Sequence, residues 1–233
     1  MEIKTFIPGS EWVYFKLYTG TKTADSILKI KLYEFIREML KNDVIDKWFF
    51  IRYSDPDFHI RLRLHLNESR NFNYTFNSFF TFSLPLINDR LIWNIQCDTY
   101  KREMERYGDN TIAIVEDIFF IDSEYIIRLL NHLTEENPEQ HRWKQALTLI
   151  DSFLSAFLFE LPQRKLLLNT LAEKLIAMDK CNKMQVPLTS LLTSMIHMTM
   201  NRWFRTKNRL YEMVICEFLA RYYTSEIAKV KRK

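Results

Sequence analysis

Imidazole and guanidinium groups alternate along the stretch from Phe58 to Leu66. In an extended chain successive side chains leave by opposite faces. His59, Arg61, Arg63 and His65 then project one way, and Phe58, Ile60, Leu62, Leu64 and Leu66 the other. Guanidinium forks grip anions, and imidazoles carry protons near neutrality. The same alternation also describes the solvated face of an ordinary antiparallel sheet. Two further clusters carry reactive groups. Glu103 and Arg106 stand at i, i+3, which on a helix makes them neighbours, or a surface pair contributing little. His197 and Asn201, at i and i+4, share a helix face, where a histidine among methionines is also an ordinary core residue. Tyr107-Gly108 reads equally as a helix stop.

These groups need elements to position them. Trp48 to Leu66 reads as a hairpin, its strands joined by a Ser54-Asp55-Pro56-Asp57 turn, because proline in such a tetrad fits a turn and not a ladder. Arg52 ends the first strand and is read as joining the polar face. Upstream, Trp12, Tyr14, Lys16 and Tyr18 alternate with Val13, Phe15 and Leu17, a strand by its period of two. Ile27, Leu28, Leu32, Phe35, Ile36, Met39 and Leu40 recur at helical spacing. Phe72 to Ile87 reads as a second helix, ended by Asn88-Asp89. Leu91, Trp93, Ile95 and Cys97 then alternate with Asn94, Gln96 and Asp98 as a strand.

Strand, helix, hairpin, helix, strand is the succession of a ferredoxin-like β-α-β-β-α-β unit. Its polar face would carry Lys16, Arg52, Arg61, Arg63, Asn94, Gln96 and Asp98. From Lys101 the period changes to 3.6, with a helix begun by Pro138 and running to about Leu161, and one or two final helices from Leu188 to Lys229. The fold class expected is α+β: an antiparallel ferredoxin-like half at 1–108 and a mostly helical half at 109–233, packed as one unit. The polar face is expected to meet the helical half across a cleft.

Composition bounds the function. Hydrophobic residues make up 47% and charged residues 27% of the 233, a globular balance. With only three glycines there is no phosphate-binding glycine loop. A net charge of +4 does not describe a nucleic-acid binder. The basic end (Lys229, Lys231, Arg232, Lys233) reads as a solvated terminus. Cys97, Cys181 and Cys216 are far apart, so neither a disulfide framework nor a zinc site follows. Neither a signal-peptide layout nor an apolar run of membrane-spanning length is present, and the expected compartment is the reducing cytoplasm.

Several separated motifs stand in order along nearly the whole chain. They are W-V-Y-F-K-L-Y at 12–18, F-F-I-R-Y-S-D-P at 49–56, H-I-R-L-R at 59–63 and D-T-Y-K-R-E-M-E-R-Y-G at 98–108. To these are added Ala113, Glu116-Asp117, Phe119 and Asp122-Ser123, and H-M-x-x-N-R at 197–202. In these the sequence resembles the C-terminal family of lantibiotic dehydratases and thiopeptide-type bacteriocin biosynthesis proteins. The resemblance implies elimination of glutamate from glutamylated Ser or Thr of a ribosomally made precursor peptide, giving dehydroalanine or dehydrobutyrine. It places the catalytic groups at Arg61, Arg63, Arg106 and His197, and substrate-binding groups at Arg52, His59, Glu103 and Asn201. Neither a metal nor an organic cofactor is implied.

The sequence departs from the family at Gly108-Asp109, where two glycines are usual. The large glutamylating domain of the dehydratases is also absent, so a separate glutamylating subunit is expected to supply that step. Direct tRNA binding is not expected, since no basic face is large enough. The oligomeric state stays open, a homodimer being one option. Two alternatives remain: a pyridine-forming cycloaddition enzyme acting on dehydroalanines, and an inactive peptide-binding subunit of a dehydratase complex. Retention of Arg61, Arg63, Arg106 and His197 favours elimination, because cycloaddition does not require glutamate binding.

Overall fold

The computed structural model describes residues 3–133, 138–158 and 186–230. The strand β1 (Thr5–Phe6) precedes β2 (Trp12–Thr19), which leads into α1 (Thr21–Ser26). A π-helical segment, Ile27–Leu32, carries α1 on into α2 (Tyr33–Lys41). The hairpin follows as β3 (Ile45–Ser54) and β4 (Phe58–Leu66), then α3 (Phe72–Asn88), β5 (Ile92–Asp98) and β6 (Tyr100–Lys101). The helices α4 (Met104–Tyr107), α5 (Ile112–Asn131), α6 (Pro138–Leu158), α7 (Leu188–Trp203) and α8 (Asn208–Val230) complete the described chain. The sequence-read helix beyond Leu158, and the basic end from Lys231, lie outside the described residues.

The central sheet has the order β3-β4-β2-β5, with every neighbouring pair antiparallel. That is the ferredoxin-like arrangement, in an α+β fold. Its apolar face packs on α1, α2 and α3. Phe15 stacks on Phe79 at 3.7 Å, and Phe35 wedges against Phe79 and Phe82. The second face is not simply solvated. Trp12, Tyr14 and Phe49 are buried in a second apolar cluster with Tyr100, Tyr107, Phe119, Leu191 and Met195, so α4, α5 and α7 cover part of it. Among the described residues, no helix is long and apolar enough to cross a membrane.

One edge of the sheet is sealed by side chains. The Phe50 amide donates to Ser123 Oγ at 3.3 Å, and the Phe50 carbonyl accepts from Arg202 Nε at 2.8 Å. The Arg52 amide donates to Asn201 Oδ1 at 2.9 Å. Outer-edge groups of β3 are thereby satisfied by α5 and α7, as backbone groups taken out of water must be. Asp122 ties the two helices together by accepting from Arg202 Nη1 at 2.8 Å.

The register corrects two readings of the sequence. Arg52 lies opposite Ile60, and Ile51 opposite Arg61, so Arg52 points to the apolar face, away from Arg61 and Arg63. The run Trp48-Phe49-Phe50-Ile51 is buried on both faces, so no polar residue revealed the phase of β3. On β5 the register shifts between Tyr18 and Thr19. Asn94 faces Tyr18 but Ile92 faces Thr19, so Ile92 enters the core while Leu91 and Trp93 are left exposed. A one-residue bulge exchanges the faces of everything beyond it.

Candidate functional site

The second face of the sheet holds a cleft of about 390 Å³ lined by Tyr14, Lys16, Arg61, Arg63, Asp98, Thr99, Lys101 and Glu103. Tyr14 and Lys16 come from β2, directly across the ladder from Arg63 and Arg61 of β4. Asp98 ends β5, and the β6 turn brings Thr99, Lys101 and Glu103 over the rim. The lining thus mixes four cationic and two anionic side chains. Asp98 is already committed to Lys16 at 2.5 Å, a bond that holds its carboxyl below the usual range. Glu103 is committed to Arg106 at 3.3 Å.

Arg61 is held by aromatic and imidazole groups. Its guanidinium lies 3.5 Å from the centre of the Tyr53 ring, and its Nε donates to His59 Nε2 at 3.1 Å. His59 is fully buried between Tyr18 and Tyr53. Its Nε2 accepts, so Nδ1 carries the proton and donates to the Asp57 carbonyl at 2.8 Å. Burial pushes the His59 pKa down, which favours this neutral form.

Arg63 sits in an aromatic box. Its guanidinium is 4.6 Å from the Tyr14 ring centre, 4.7 Å from Tyr100 and 5.2 Å from Phe49. Such faces attract a cation without neutralising it. Its buried Nε has no hydrogen-bond partner. The box is backed by Glu116, which accepts from Tyr100 at 2.8 Å and from Arg102 Nη2 at 2.6 Å. Among the described residues, no carboxylate forms an ion pair with Arg61 or Arg63.

Arg106 stands at the rim on α4, its Nε donating to Ser194 Oγ of α7 at 3.1 Å. The short helix stops because Gly108 has φ 77 and ψ 143, a conformation that side chains with a Cβ resist. Tyr107 packs beneath, and burial pushes its pKa up to about 12 against the pull of Arg106, Arg202 and Arg63. His197 lies one turn beyond Ser194 on the same flank of α7. Its Nδ1 is 2.7 Å from Glu212 Oε2 of α8. The tertiary structure therefore joins Arg61, Arg63 and Glu103 in one cleft and Arg106 to its rim, and leaves His197 off the lining.

Three residues read as substrate-binding have other places. Arg52 is buried on the far face, donating to Asp25 Oδ1 at 2.7 Å and to the Arg202 carbonyl at 2.9 Å. Asp25 also accepts from Arg142 and, at 2.6 Å, from Arg205. Asn201 is spent on the β3 edge. His59 is buried and touches the cleft through its bond with Arg61. Sequence reasoning missed Tyr14, Thr99, Tyr100, Lys101, Ser194 and Glu212. Tyr14 was legible from its parity with Lys16, whereas the others depend on loop and helix packing. Among the described residues, no group of three His, Cys, Asp or Glu side chains could hold a metal ion.

A family model described as "Lantibiotic biosynthesis dehydratase C-term" matches residues 12–186 and 164–223. Nisin biosynthesis protein NisB of Lactococcus lactis subsp. lactis is 30% identical over 145 residues, 62% of this chain and 14% of that protein. Subtilin biosynthesis protein SpaB of Bacillus subtilis is 23% identical over 124 residues, 53% of this chain and 12% of that one. The matches thus span a small part of each curated relative. In fold the chain is similar to the tRNA dependent lantibiotic dehydratase MibB from Microbispora sp. 107891, with a TM-score of 0.69 and 19% identity. That likeness covers 92% of this chain and 28% of the other.

Proposed function

This chain belongs to the lantibiotic dehydratase C-terminal family, and from that premise we propose that it is the lyase of the dehydration, acting on a precursor peptide already glutamylated on Ser or Thr. A base removes the α-proton, the electron pair forms the Cα=Cβ double bond, and the β C–O bond breaks to release glutamate. Dehydroalanine or dehydrobutyrine remains in the peptide. Glutamylation is the work of a separate site.

The observation that carries this reading is the pair Arg61 and Arg63, side by side in one cleft without carboxylate partners among the described residues. Two guanidiniums fixed by His59 and by aromatic faces suit the free carboxylate of a glutamyl ester and the negative charge that develops on the departing ester carboxyl. Neither must break an ion pair to do so. Arg106, braced by Glu103 and Ser194, adds positive charge at the rim. His197, oriented by Glu212, is the proton carrier in this reading, reaching the ester when the peptide bridges the cleft and α7.

The test is mass spectrometry of a synthetic glutamylated peptide incubated with the chain. Loss of glutamic acid to give the dehydrated peptide is the expected result. An unchanged ester would sink the reading, and consumption of fully dehydrated peptide alone would replace it with cycloaddition.

A further inference from the structure

The two edges of the sheet are treated differently. On β3 the amide and carbonyl of Phe50 and the amide of Arg52 are bonded by Ser123, Arg202 and Asn201. β5 is the other edge, and among the described residues no strand pairs with its outer side. Edge strands are ordinarily guarded by charge, proline or a covering element. From Ile92 to Cys97 β5 offers no charged residue and no proline, and its one charged residue is Asp98 at the end that meets the cleft.

The helix beside it is also uncharged. α3 has 17 residues and none of them is charged, in a chain that is 27% charged. Phe79 and Phe82 turn toward Phe35 of α2, while Phe76 reaches Phe15, the strand neighbour of Cys97, from the other flank. On that β5 flank Phe76, Phe80, Leu84 and Ile87 recur at helical spacing and are all exposed, Phe80 by 60%. The β5 bulge adds Trp93, 57% exposed. Exposed apolar side chains at helical spacing, beside a strand edge that no other strand pairs with, mark a surface that binds another chain.

We propose that this edge takes up the precursor peptide as an added fifth strand, with its apolar side chains seated on Trp93 and the α3 flank. The inference rests on the reading of the chain as a peptide-modifying enzyme. The occupant follows from where the edge leads: β5 ends at Asp98, and Asp98 and Thr99 line the cleft. A peptide paired along β5 has roughly 20 Å of docking length and is delivered at one end to Arg61 and Arg63. Main-chain hydrogen bonds give such docking tolerance of sequence, and alternate side chains give it selectivity for apolar residues. One surface can thereby pass many Ser and Thr positions of one peptide across one site.

The test uses the whole chain and an unmodified, fluorescein-labelled probe, Ser-Ile-Thr-Phe-Ser-Leu-Thr-Val. Fluorescence anisotropy should show binding, and hydrogen exchange should slow at β5. Trp93→Lys and Phe80→Lys, both at exposed positions, should each weaken binding roughly tenfold. Probe binding by both variants as by wild type, or protection elsewhere than β5, overturns the proposal. So does a dimer, seen by sedimentation, that both variants abolish while the probe still binds. A second probe separates the two readings: the same octapeptide esterified with glutamate on its central Ser both spans the edge and carries the leaving group. If the wild type binds it and leaves it intact, the elimination reading fails, while strand addition is still judged by the unmodified probe.

Discussion

Arg61 donates its Nε–H to Nε2 of His59 at 3.1 Å, which fixes both the direction of the guanidinium and the tautomer of the ring. Protonation of His59 would remove the acceptor and set two cations face to face. The fold resists this, because burial lowers the pKa of His59 below its ordinary 6.5. The unfolded chain therefore takes up the proton first as pH falls. Stability contributed by neutral His59 is complete above about 6.5 and is lost as pH drops toward the folded value. Urea midpoints at pH 7.5 and 5.5 should fall further for wild type than for His59→Phe. An equal drop in both would show that His59 is not the group responsible.

Arg61→Ala and Arg63→Ala should leave the fold intact and stall the chemistry. Peptide treated with a glutamylating enzyme and either variant should accumulate as the glutamyl ester, a gain in mass, and the elimination rate should fall roughly 10²–10³-fold. Arg61→Lys should also be impaired, since a point charge reproduces neither the fork nor the stacking on Tyr53. Wild-type rates of dehydration in both alanine variants would remove these residues from the reaction.

His197 and Glu212 form a pair at 2.7 Å across α7 and α8. If His197 carries the proton, His197→Ala should slow elimination roughly 10²–10⁴-fold. Glu212→Gln should slow it less, keeping the ring but loosening its orientation. Because both changes lie off the cleft lining, peptide affinity should barely move, so the loss should appear in kcat and not in KM. A loss confined to KM would reassign the pair to binding.

Asp25 is a structural hub outside the cleft. It accepts from Arg52, Arg142 and Arg205, and the Arg52–Asp25 pair is almost fully buried. Asp25→Ala leaves buried guanidiniums without their carboxylate and should cost roughly 3–5 kcal/mol in urea unfolding. Burial alone would raise the Asp25 pKa, but the three arginines outweigh it and hold it below 3.8. Its contribution is therefore present above about 3.8 and lost as pH falls below it. An Asp25→Ala protein with wild-type stability would show that the cluster contributes no net stability.

Much of this was legible in the amino-acid order. A period of two in β2 and β4 and of 3.6 in α2 decides which residues share a face, because side-chain direction follows local geometry. Strand and helix succession then leaves few topologies, and the ferredoxin-like order is the one found. Arg61 and Arg63 share a face by parity alone, and Glu103 and Arg106 adjoin by helical spacing. Tertiary structure decided the rest. Arg52 looked like a third cleft arginine until register turned it to the other face, because β3 is apolar on both sides and hides its phase. Asn201 and Arg202, read beside His197, turned out to seal the β3 edge with Ser123, and main-chain partners leave no trace in sequence. Tyr14, Tyr100 and Phe49 box Arg63 from three strands, and Glu212 meets His197 from the next helix. Those meetings are set by register and packing between elements far apart in the chain, where no local period reaches.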